Sequence, residues 1–291
     1  MGMSDWMSGS GSRRMTGAAH NAAGSVSDSV RGAAESRGLK RLARLGLAAR
    51  ATIYLLIGWF TLLLAFGHHA PETDQRGAMQ ELTQHTGGFV LLFVITVGLV
   101  GYALWRFSEA AFGVVGQGRD AGPRLQSLAR GLVYAFFAVS AVNLLLHSRK
   151  QSQAGEQQQL TARVMRHTGG RWAIAIAGLI VIAVGLFLVV EGVRRKFLKY
   201  FKLGELSPLA VRAVRILGAI GTTARGIVFA LSGIFVVQAA WKYDPHQARG
   251  LDGALRKLSE SDYGRWWVGL AAVGLIAFAL YGYCEAAWRR T

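Results

Sequence analysis

Long apolar stretches alternate along this chain with short polar ones. Six of them, about 45–67, 88–112, 125–147, 171–193, 215–240 and 264–287, reach the roughly 20 residues a helix needs to cross a bilayer. Glycine recurs inside them, at Gly58, Gly98, Gly101, Gly178, Gly185, Gly233 and Gly274, a usage that suits closely packed membrane helices. Residues 1–38 differ in kind: rich in Gly, Ser and Ala with scattered Arg, they cannot bury a core and are expected to form a disordered cytoplasmic tail. They contain no apolar segment of secretory-signal type, so the first span is expected to act as the insertion signal.

A repeat underlies the six spans. Each odd span is opened by an arginine (Arg50, Arg130, Arg225) with an aromatic residue four positions on (Tyr54, Tyr134, Phe229). Each even span is preceded by a glycine (Gly88, Gly170, Gly264) and closed by a glutamate (Glu109, Glu191, Glu285) 21 positions later in all three copies. From arginine to glycine the distances are 38, 40 and 39. The motif HTGG occurs at His85–Gly88 and His167–Gly170, with SDYG at Ser261–Gly264 in its place in the third copy. The linkers Gly77–Gln84 and Gly253–Ser259 are parallel, and the pairs Met79/Leu82 and Leu255/Leu258 give each one apolar face, which predicts short amphipathic helices lying flat on the outer membrane surface.

The ARGxVY-type opening of the odd spans, the fixed glycine-to-glutamate spacing and the three tandem hairpins resemble the bacterial integral membrane family called domain of unknown function 1206. The resemblance covers about 40–291, and the first copy departs from it with ARATIY, where Ala51 stands in place of glycine. It implies a six-helix membrane protein and supplies no activity. The expected architecture is all-α, with six transmembrane helices as three tandem helical hairpins related by a pseudo-threefold internal repeat: 39–113, 114–198 and 199–291.

Composition agrees with this picture, since 52% of the residues are hydrophobic. The formal net charge of +17 would suit nucleic acid, but the basic residues flank apolar spans, so anionic phospholipid is the expected partner and nucleic acid is not. About twenty Lys and Arg fall at the ends where odd spans begin, against about eleven in the loops within hairpins, which by the positive-inside rule places both termini in the cytoplasm of a bacterial inner membrane. The one cysteine, Cys284, leaves no internal disulfide to form.

The repeated arginines and glutamates are the candidate site. An odd span must borrow residues before its arginine to cross, and an even span reaches its glutamate after about 31 Å, so both arrive near one depth on one side. Structural ion pairs among Arg50, Arg130, Arg225, Glu109, Glu191 and Glu285 would satisfy both charges, within a hairpin or between neighbours, while snorkelling of the arginines to headgroups is the simpler alternative. Asn143 is the candidate polar membrane site, expected to hydrogen-bond between helices. The histidines His68, His69, His85, His147, His167 and His246 sit in hairpin loops without metal-ligand spacing, so no metal or cofactor is expected. Phosphate-binding, zinc-protease and nucleophile-elbow motifs do not occur. The expected function is that of a non-enzymatic scaffold or accessory subunit with a membrane-protein partner or a second copy, the alternative being a small channel or transporter with a path between the repeats.

Overall fold

The computed structural model describes residues 37–85, 87–113, 120–147, 153–167, 169–201, 203–244, 247–248 and 250–289. The tail reading over 1–38 lies outside them except for its last two residues, which already belong to the first helix. Among the described residues six helices are long and apolar enough to cross a membrane: α1 (Arg37–Ala65), α3 (Gly88–Phe112), α4 (Ala121–His147), α6 (Gly170–Val193), α7 (Pro208–Lys242) and α9 (Gly264–Trp288). A short helix joins the two spans of each repeat: α2 (Gln75–Leu82), α5 (Gln153–Met165) and α8 (Leu251–Ser259). The molecule is therefore an all-helical membrane protein built of three hairpins. We call the end carrying α2, α5 and α8 the loop end and the other the terminal end.

Local chemistry sets the helix starts. Ser207 accepts from the amide of Ala210 at 3.3 Å with Pro208 following, an N-cap and first-turn proline in sequence. The recurring glycine before each even span has a steric cause. A Cβ on Gly88, Gly170 or Gly264 would overlap the carbonyl oxygen of Leu82, Val164 or Ser259, respectively, where the short helix ends. Gly87 and Gly169 stand just before, at φ 86° and 81°, a left-handed turn that glycine adopts without penalty. In the third copy Tyr263 turns at φ −112°, so only the second glycine of the motif is retained.

The tightest seams join different repeats: α6 with α7, α9 with α1, and α3 with α4. Within repeats, α1 packs on α3 and α7 on α9, but α4 and α6, the two spans of the second repeat, make at most marginal contact. The spans thus form a ring in the order α1, α3, α4, α6, α7, α9, open between α4 and α6. Glycine brings backbones together along the α6/α7 seam, where a Cβ on Gly185 would lie 2.6 Å from the Ala230 nitrogen and one on Gly233 2.7 Å from the Ile182 nitrogen. Ala51 in ARATIY is fully compatible with its seam, because Gly282 of α9 faces it and supplies the space.

The two linker helices foreseen in the sequence do form, but their apolar faces meet protein rather than a lipid surface. Met79 and Leu255 are buried, because α2 packs on α1, α3 and α4 while α8 packs on α7, α9 and α1. Together they cap the loop end of the ring. A latch between repeats holds them: Asp252 of α8 accepts from the Thr73 amide at 2.9 Å and its hydroxyl at 3.0 Å, and takes Arg256 Nε at 2.9 Å. Asp74 caps α2 through the Gly77 amide at 2.8 Å.

Candidate functional site

The three seams between repeats set each arginine against the glutamate of the preceding repeat, taken cyclically: Arg50 with Glu285, Arg130 with Glu109, and Arg225 with Glu191. Only the first pair closes. Arg50 donates from Nη2 to Glu285 Oε2 in the interior, and the other Glu285 oxygen takes Arg289 Nη1 at 2.8 Å. Arg289 stands four residues after Glu285 on the same helical face, a spacing that favours the pair.

At the second seam a different arginine has taken the glutamate. Arg106, 2% exposed, donates to Glu109 Oε2 at 2.6 Å and to Tyr102 Oη from Nε and Nη2 at 2.9 and 2.6 Å. Ser127 of α4 completes that carboxylate at 3.0 Å. Arg130 is thereby left without a hydrogen bond or ion pair among the described residues, and its charged neighbours are Arg106, Arg289 and, beyond bonding distance, Glu191.

The third seam is open in another way. Arg225 lies over the rings of Tyr54, Phe229 and Phe278 at 5.2, 5.0 and 4.9 Å, and its Nε is buried without an acceptor. Glu191 makes no ion pair within bonding distance among the described residues. The cause is visible in the chain. Arg195, four after Glu191 and in register with Arg289, turns left-handed at φ 53° and ends exposed, so no second arginine reaches this carboxylate.

These unmatched groups face one cavity of about 760 Å³ enclosed by the ring. Arg50, Arg130, Arg225 and Arg289 line it against Glu191 and Glu285, four guanidinium groups to two carboxylates, an excess of two positive charges. Tyr54, Tyr102, Tyr134, Tyr200 and Tyr281 also line it, and most of the remaining wall is aliphatic or aromatic. Gln75 of α2 and Leu251 of α8 close it toward the loop end, and Phe197, buried against Gly218 and Tyr281, shuts part of the terminal end.

Asn143 lines no part of the cavity. It is exposed on the outer stripe of α4 with Leu132, Phe136 and Val139, and the interhelical hydrogen bond expected of it is not formed among the described residues, because the helix turns that face away from its neighbours. Thr61, Thr96 and Ser232 return their hydroxyls to carbonyls of their own helices at 2.7, 2.7 and 3.1 Å. Among the described residues no three His, Cys, Asp or Glu side chains converge.

Fold and site together describe a membrane protein of three cyclically packed helical hairpins around a cationic interior. The chain belongs to the family described as Domain of Unknown Function (DUF1206), whose pattern it matches three times, at 45–113, 125–195 and 220–289. It is also 31% identical over 249 residues to the uncharacterized protein YxxB of Bacillus subtilis (strain 168), covering 84% of this chain and 88% of that one. No solved structure matches.

Proposed function

We propose that this protein is a non-enzymatic binding subunit of the bacterial inner membrane that holds an anion inside its helical ring. One observation carries the reading: Arg130 and Arg225 both line the cavity, and among the described residues neither has a carboxylate within bonding distance. An unneutralised guanidinium at low dielectric is costly, and an anionic group seated between the two would satisfy both through charge-assisted, planar hydrogen bonds. Anionic phospholipid, expected from the sequence at the basic membrane face, would then bind in the interior as well. Transport across the membrane is less well supported, since α2 and α8 close the loop end and the hydroxyls of Thr61, Thr96 and Ser232 are spent on their own helices.

Both termini lie in the cytoplasm in this reading, as the basic residues Arg41, Arg44, Arg124, Arg194 and Lys196 at the terminal end favour. Reporter fusions at Thr291 and near Gln151 then fall on opposite sides. The binding reading is tested by native mass spectrometry of detergent-purified protein incubated with phosphatidylglycerol. Wild-type protein retains the lipid and Arg130→Gln/Arg225→Gln loses it; equal retention by both would remove the anion site.

A further inference from the structure

Among the described residues the wide gap in the ring lies between α4 and α6, on the flank that six membrane spans would turn toward the bilayer. Of the residues that line the cavity, those exposed at the molecular surface are Ala129, Val133, Ile180, Ala183, Val184 and Phe187. All six are apolar, and all belong to α4 or α6, the two spans that scarcely touch. The lining residues that close the ends of the cavity, Gln75 and Leu251 on one side and Phe197 and Tyr200 on the other, are not exposed. α5, the short helix of the same repeat, packs on α6 and makes at most marginal contact with α4. A dissolved ion approaching through this mouth would have to leave water and pass an aliphatic rim, which opposes its entry.

We propose that the occupant of the site is an anionic amphiphile that slides in sideways from the bilayer, its head between Arg130 and Arg225 and its hydrocarbon chain leaving through the gap between α4 and α6. This rests on the anion-binding reading above and adds to it the chemical class of the ligand and its path. The wall composition agrees. None of the lining arginines and tyrosines is exposed at the molecular surface, while Val133, Ile180 and Val184 at the mouth offer a chain nothing but hydrocarbon. The second repeat is the one whose own hairpin is spread apart, so the break in threefold packing and the access route are the same feature.

Native mass spectrometry in detergent separates the possibilities. Phosphatidylglycerol is compared with glycerophosphate and inorganic phosphate, which offer the same anion without chains. In a Cys284→Ser background, Val133→Cys/Val184→Cys is bridged by a bismaleimide long enough to span the mouth, and Ala129→Trp/Ala183→Trp plugs it without cross-linking. The expected result is that only the lipid is retained, and that either closure slows its exchange about tenfold or more while the melting temperature is unchanged. Tight binding of the soluble anions would overturn the amphiphile and leave an anion site. Unchanged exchange in both closed variants would overturn the lateral route. Retention of lipid by Arg130→Gln/Arg225→Gln would instead strike the anion reading itself.

Discussion

Arg50 of the first span and Glu285 of the last are ion-paired in the interior of the ring although 235 positions separate them in the chain. Their contact closes the seam between α9 and α1, the seam that makes a ring of a linear array. Removing Arg50 leaves Glu285 with Arg289 alone, so the loss approaches but does not exceed the roughly 3–5 kcal/mol of a buried pair broken outright. Arg50→Gln is therefore expected to lower the melting temperature in detergent strongly, with Arg50→Lys recovering only part. A double-mutant cycle against Glu285→Gln should show coupling above about 1 kcal/mol; additive losses would mean that the pair does not hold the seam.

The other two repeat arginines should behave in the opposite sense. Arg130→Gln and Arg225→Gln each remove a cation without a carboxylate partner, so the melting temperature of delipidated protein should stay level or rise. Sites built to bind commonly trade stability for that purpose. Cycles of Arg130 against Glu109, Glu191 and Glu285 are expected to give coupling near zero. A large loss on either arginine substitution in lipid-free protein would assign them a structural task.

Asp74 provides a pH signature outside the spans. Burial raises its carboxyl from the usual 3.8 to about 7, with the Gly77 amide opposing and Glu72 and Asp252 adding to the rise. Between about pH 4 and 7 the folded chain keeps a proton that the unfolded chain has released, so stability falls as pH rises through that interval and levels off above it. Asp74→Asn keeps an acceptor for the helix cap and removes the charge. It should raise the melting temperature near pH 8 and leave it unchanged near pH 4; an equal shift at both would exclude the titration of this group.

The cap latch is testable separately. Asp252→Ala leaves the buried amide and hydroxyl of Thr73 without their acceptor, at a cost of about 2–4 kcal/mol for the two groups. Hydrogen exchange should quicken in α2 and α8 together while α5, which the latch does not touch, keeps its protection. Faster exchange in α8 alone would show that the two caps are held independently.

Close approach at the α6/α7 seam predicts a large effect from a small addition. Gly185→Ala places a methyl group 2.6 Å from the Ala230 nitrogen and should cost about 1–3 kcal/mol or separate the helices. Gly122→Ala, with nothing within 4 Å, serves as the neutral counterpart in the same melting assay.

Most of the fold was legible because it is written as periodicity. Apolar stretches gave the spans, and the arginine, glycine and glutamate spacings gave the repeat. The glycine before each even span recurs for a steric reason that sequence alone does not state, the carbonyl beneath it. The site was legible only in part. Arg50 and Glu285 meet as complementary charges at one depth should, but which pairs close depends on competitors. Arg106, three residues before Glu109, captures it, and Arg289, four after Glu285, shares it. Those spacings are visible in the sequence and were the available signal. The left-handed turn at Arg195, which withholds the matching arginine from Glu191, and the separation of α4 from α6 depend on tertiary packing and leave no periodic trace.

The seams also bear on how such a chain can be rearranged. The unit copied in sequence is an odd span followed by an even one, yet the unit packed most tightly is an even span followed by the next odd one. A lone copy would thus be half of two contacts, satisfied only by meeting others of its kind. The contact between α9 and α1 is the one seam between repeats that no linker of the chain spans. Joining the ends there and cutting at another boundary between repeats should yield the same ring with its copies in a new order.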